Sequence, residues 1–267
     1  MNVFIHEFKQ KRKSTMLWSL SLSIFIIFYM TFYPAMAKDG ALFDSVMKSF
    51  PKEMLLALGL SNQLSFASLM GYFALTFSMI QLALAILSSI YGISILTEEE
   101  RDLTADFLLS KPVSRSTIYF SKFFSALLSL VIVCIIVGLT SLIALEIFSG
   151  NKSYDINAVL KLLIIIPVFQ LFFLSLSMLI SLLFKKVRSV LSLAMGLAIT
   201  LYVTNSVNNI IDSKILGLFT PFHYFSASYI LKENTYNLSL LFIAIIIIIV
   251  SLVASFKIYI DKDFQAL

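Results

Sequence analysis

The sequence predicts an all-α, polytopic membrane protein with six transmembrane helices, an N-terminal amphipathic interface helix and a further short helix in one aqueous loop. Three observations lead there. The 267 residues are 59% hydrophobic and 13% charged, whereas a soluble domain carries about 45–50% apolar and about 25% charged residues. Six apolar runs reach or exceed the ~20 residues that a helix needs to cross ~30 Å of hydrocarbon. The charges gather at the ends of those runs, and the longest strongly charged segment is Thr97–Lys122, TEEERDLTADFLLSKPVSRSTIYFSK. No internal repeat or low-complexity linker divides the chain, so 1–267 reads as one membrane domain.

Residues 1–15 begin MNVFIHEFKQKRK, in which Val3, Phe4 and Phe8 share one helical face and His6, Lys9 and Lys13 lie elsewhere. That pattern predicts a short amphipathic helix on the membrane surface. Lys9, Lys11, Arg12 and Lys13 then crowd the start of the first span, which places the N-terminus inside. The first apolar run is too long for a cleavable signal, and Ala35-Met36-Ala37 only weakly imitates a cleavage site.

The spans are expected at Met16–Ala37, Phe66–Leu96, Ile118–Phe148, Val159–Phe184, Val190–Ile211 and Leu238–Tyr259. The second and third exceed what the bilayer requires, so they should tilt or project into the cytoplasm. Arg12, Arg101, Arg115 and Arg188 all fall on the proposed inside, and an even span number returns the C-terminus there beside Lys257 and Lys262. The reading is a multi-pass protein of the bacterial cytoplasmic membrane, in contact with lipid, with both termini cytoplasmic. Outside, 38–65 predicts one or two short surface helices broken at Pro51, and Gly150–Asp155 a tight loop. The segment 212–237 is too aromatic for a free loop and too interrupted for a span; it re-enters the membrane or lies on the outer leaflet.

The net charge of +5 does not argue for nucleic acid, because the basic residues flank apolar spans and report topology. The single cysteine, Cys134, lies mid-span and excludes an intramolecular disulfide. Catalytic and metal residues are not expected. No glycine stands in the phosphate-cradling frame of a P-loop, the nearest imitation being Gly150-Asn151-Lys152-Ser153 with the wrong spacing. His6 and His223 fall on opposite sides of the membrane. Glu98-Glu99-Glu100 suggests an intramembrane-protease pattern, but its arginine position holds Leu103 or Thr104.

Polar residues within spans are costly and often functional. Gln81, Gln170, Asn205, Asn208 and Asn209 are candidates for a translocation path, with interhelical hydrogen bonding as the alternative. None forms the central paired acid and base of a proton relay.

The charged loop reads as two helices. Thr97 caps the first, Glu100 completes a capping box, and Glu98, Glu99, Glu100 and Asp102 lie at a helix N-terminus, favoured by its macrodipole. Leu103, Phe107 and Leu108 recur at helical spacing between Arg101, Thr104 and Asp106. Pro112 stops this helix, and Ser114 caps the next, whose Arg115 and Lys122 reach the headgroups. The apolar face buries on a soluble partner or lies on the bilayer.

These residues resemble the first cytoplasmic loop of type-2 ABC exporter permeases, the ABC-2 membrane-subunit family, which reads Glu, Gly-Thr, L-L-S-x-P-[VI]-S-R and then a lysine seven residues on. Here the matches are Glu98–Glu100, Thr104, Leu108, Leu109, Ser110, Pro112, Val113, Ser114, Arg115 and Lys122. Leu103 replaces the glycine, which implies a more continuous helix. Thr220-Pro221-Phe222-His223-Tyr224-Phe225 is similar to the family's proline-aromatic stretch before the last span. The resemblance implies a permease without its own ATPase site or cofactor. It would pair with a cytoplasmic ABC ATPase that binds ATP and Mg, and with a second membrane subunit, identical or not. The loop 97–117 would hold the coupling helix, about Glu99–Leu109, with Glu98, Arg101, Leu103, Thr104, Phe107, Leu108, Pro112 and Arg115 at the contact. The apolar walls favour export of an amphipathic or hydrophobic substrate, a peptide or toxin foremost. A stand-alone secondary transporter or channel is the alternative.

Overall fold

The computed structural model describes residues 3–38, 45–46, 49–57, 68–101, 113–150, 152–184 and 186–261. Six helices are long and apolar enough to cross a membrane, and the described residues contain no strand. The protein is an all-α, multi-pass membrane protein.

The first span begins earlier than its hydropathy suggests. Helix α1 runs unbroken over Val3–Thr31, because no glycine or proline interrupts it, and a turn at Phe32 leads into α2, Tyr33–Lys38. The amphipathic N-terminal segment is therefore not a separate surface helix but the first turns of α1. Its buried stripe is Glu7, Lys11, Thr15, Ser19, Leu22, Ile26 and Met30, stepping by three or four residues. The upper half of that stripe is polar and faces the protein rather than water. Within 38–65, Ser45, Val46 and Ser49 are helical, and α3, Lys52–Ala57, starts directly after Pro51. The Pro51 carbonyl accepts from the Met54 and Leu55 amides, so this proline opens the helix.

Helix α4 occupies Leu69–Arg101, 33 residues, or about 50 Å at 1.5 Å per residue. Helix α5, Arg115–Phe148, has 34 residues and is capped by Ser114, whose Oγ accepts from the Thr117 amide. Both are longer than a bilayer requires, as expected. Asp155 caps α6, Ile156–Leu183, by accepting from the Asn157 and Ala158 amides. Ser189 caps α7, Val190–Ile211, which closes on the left-handed Asp212. Three short helices follow, α8 (Lys214–Gly217), α9 (Pro221–Tyr224) and α10 (Ala227–Glu233), before the last span, α11 (Leu238–Asp261).

Helix α1 lies along α5, and α6 packs against α4, α5, α10 and α11. Helices α4 and α6 come close together at Gly92. A Cβ there would sit 2.0 Å from Ser177 Oγ and 2.5 Å from the Leu174 carbonyl, so only a glycine lets the two backbones meet. Small residues commonly permit such contacts between membrane helices.

The segment 212–237 re-enters the bundle. Phe222 meets Phe169, Phe173 and Tyr202, and Phe225 meets Phe169. Gln81 Nε2 donates to the Phe225 carbonyl at 2.7 Å. Gln81 lies 12 residues beyond Leu69 on α4, about 18 Å along the helix. The returning chain is pinned where Lys161 Nζ donates to the Asn234 carbonyl (2.6 Å) and Asn234 Nδ2 to Asp155 (2.7 Å).

Candidate functional site

The residues 102–112 connect α4 to α5, and Leu103, Thr104, Phe107, Leu108 and Pro112 lie outside the described residues, as do the side chains of Glu99, Glu100 and Arg101. What the structure defines is the base of this loop. Thr97 does not cap a new helix: it lies inside α4, buried, and its Oγ1 donates back to the Ile93 carbonyl at 2.8 Å. Hydroxyls within a running helix satisfy themselves in this way. Glu98, Glu99 and Glu100 consequently sit in the last turn of α4 rather than at a helix N-terminus. There the carbonyl ends concentrate negative potential, which disfavours acids. Gln10 of α1 offsets part of this by donating its amide to Glu98.

The start of α5 is held from three sides. Arg115 donates to the Ile260 carbonyl at 2.8 Å, near the end of α11. One turn on, the Tyr119 hydroxyl is 2.7 Å from Ser255 Oγ on the same helix. Lys122 does not reach toward headgroups; it is fully buried. Its Nζ donates to the Ile95 carbonyl of α4 at 2.8 Å and lies 3.7 Å from Glu7 of α1. The Glu7 carboxylate also pairs with Lys11 at 2.6 Å, and one turn below, Thr15 Oγ1 is 3.0 Å from the Tyr91 hydroxyl. An ammonium in this position is stabilised both by a carboxylate and by the C-terminal turns of α4.

The sequence reading missed Glu7, Lys11 and the burial of Lys122. The signal was there in register: Glu7, Lys11, Thr15 and Ser19 continue upward the same stripe that Leu22, Ile26 and Met30 form below. A polar stripe in line with a core stripe faces a neighbouring helix.

The family model for ABC-2 family transporter proteins matches residues 1–264. The chain belongs to the ABC-2 transporter family. Comparison with curated proteins finds no match. As an ABC-2 protein the chain is a permease component of an ABC transporter, and membrane proteins of this family generally partner with an ABC ATPase.

The polar span residues of this ABC-2 permease are spread over several contacts. Gln81 holds the re-entrant segment. Gln170, between α6 and α5, accepts from Cys134 Sγ at 2.6 Å, while its Nε2 is buried with no hydrogen-bond partner. Asn208 is buried beside Gly217, Asn205 and Asn209 are half-buried, and the Oδ1 atoms of Asn205 and Asn208 make no hydrogen bond. Among the described residues, the buried charged side chains are Glu7, Lys11 and Lys122, all at the loop end of the bundle.

Proposed function

We propose that the chain is the membrane-spanning permease subunit of an ATP-driven exporter, which couples ATP hydrolysis by a separate cytoplasmic ATPase to export of an amphipathic or hydrophobic substrate, peptides foremost. The observation that carries this reading is the position of Glu98, Glu99 and Glu100 in the last turn of α4. Acids there oppose the macrodipole by about 0.3–1 kcal/mol each, so they do not serve the helix that bears them. They stand shortly before Leu103, Phe107 and Leu108 in the sequence, and that mix of acidic and apolar residue types is the composition a groove on a soluble partner would accept.

In this reading the loop end is cytoplasmic, as the charge bias indicates, and 97–117 docks on the ATPase, which binds ATP and Mg. Thr104 and Pro112 belong to the docking segment, and Arg115, bonded to the Ile260 carbonyl, fixes its return into α5. A second membrane subunit, identical or different, completes the path. The confinement of buried charge to one end leaves apolar walls along most of the spans, which favours amphipathic cargo over ions. Asn205 and Asn208, whose oxygens lack partners within the chain, are the best placed of the candidate path residues; Asn209 adjoins them, while Gln81 and Gln170 already bond across helix contacts.

The test is co-purification. Wild-type chain should bring down an ABC ATPase, and Glu99→Lys/Glu100→Lys or Phe107→Ala should lower the recovered ATPase at least five-fold without loss of the chain from the membrane. Equal recovery by both variants would refute the docking role of the loop.

A further inference from the structure

A loop can move a membrane domain only through stiff links at its base. Among the described residues, Gln10 and Glu7 are two such links on α1. Gln10 bonds Glu98 at an exposed position, where water competes. Glu7 is different: its carboxylate engages Lys11 on its own helix and Lys122 on α5, while the same Lys122 ammonium holds the Ile95 carbonyl of α4. Three helices thus meet at one cation that has no access to water. A charge that loses its partner while still shielded from water is left uncompensated, which is strongly unfavourable, so this junction resists separation. Below it, α1 and α5 stay in register: Ser23 Oγ lies 3.0 Å from Thr140 Oγ1, and Lys152, just past the end of α5, donates to the Tyr33 hydroxyl at 3.3 Å. A shift imposed at the top is therefore carried to the far end of the pair.

We infer that Glu7 is a positioning residue of the transport cycle: through Lys122 it joins α1 to both flanks of the 102–112 loop, so that α1, the end of α4 and the start of α5 move as one body when the loop is pushed. The inference rests on the docking role of the loop proposed above. It gives the N-terminal turns of α1 a mechanical task.

The experiment uses the full chain with the ATPase that co-purifies with it, in nanodiscs, on a Cys134→Ala background. A bimane label at Leu20→Cys, on the outward face of α1 where Leu20 is 59% exposed, reports movement when the complex is trapped with ATP and vanadate. Wild type should show a shift in bimane emission. Glu7→Gln should retain the ATPase and its hydrolysis but show less than half of that shift, and Glu7→Asp, which keeps the charge on a shorter arm, should fall between them. Ile26→Ala, a core truncation lower on α1, should reduce thermal stability yet keep the shift. A full shift in the Glu7 variants, or an equal loss in Ile26→Ala, overturns the inference. Should Glu7→Gln fail to reach the membrane, Glu7→Asp alone decides by the same criterion. A wild-type chain that recruits no ATPase, or whose label ignores trapping, overturns the docking reading, and this inference with it.

Discussion

Gly92 shows how one missing methyl positions two spans. The atoms that its Cβ would strike include the Leu174 carbonyl, which is part of a helix backbone and cannot rotate away. Gly92→Ala should cost about 1–3 kcal/mol through overpacking, read as a lower thermal midpoint of the purified chain in detergent. Gly196→Ala is the matched control: nothing lies within 4 Å of its Cβ position, and helix propensity favours alanine, so its midpoint should hold or rise. Equal effects at both sites would mean that α4 and α6 do not meet as described. Lys122 teaches a complementary lesson. Its place near the start of a span suggested a headgroup contact, yet its surroundings are decided by Glu7, which lies 115 positions earlier in the chain. Sequence position reports depth in the membrane but not the direction in which a side chain points.

At the scale of elements, the spans were largely legible because their signals are local. Val190–Ile211 coincides with the expected limits, since the apolar run is bounded by a capping serine and a left-handed aspartate. The capping-box pattern at Thr97 and Glu100 misled because a helix was already running through it, and Thr97 bonds its own preceding turn instead. Between a re-entrant and a surface course for 212–237 the sequence could not choose, because the choice depends on aromatic partners on other helices, such as Phe169 and Tyr202. Gln81 is one polar tie of that segment. Gln81→Leu should leave the Phe225 carbonyl buried without its donor, at about 1–3 kcal/mol. The expected result is faster hydrogen exchange in Ala227–Glu233, with the exchange of α1 unchanged. Unaltered exchange in that helix would show that ring packing and the Asn234 contacts hold it without Gln81.

The whole molecule is polarised from end to end. Among the described residues, one end gathers the buried charges, the acidic last turn of α4 and the contacts of Arg115 and Lys122. Beyond that end the buried polar groups among the described residues are uncharged, such as Gln81, Gln170 and Asn208, and the spans present outward apolar faces such as those of Leu17, Leu20, Val253 and Ile249, which lipid can cover. The loop that should transmit force lies at the end where three helices share one buried junction, and the apolar walls that should meet cargo lie beyond it. The most direct measurement is the ATP hydrolysis rate of the reconstituted permease–ATPase complex against a panel of amphipathic peptides, lipids and small ions. The account predicts that peptides raise the rate several-fold and that Phe107→Ala abolishes this stimulation. A rate indifferent to every peptide, or stimulation that survives Phe107→Ala in full, would contradict it.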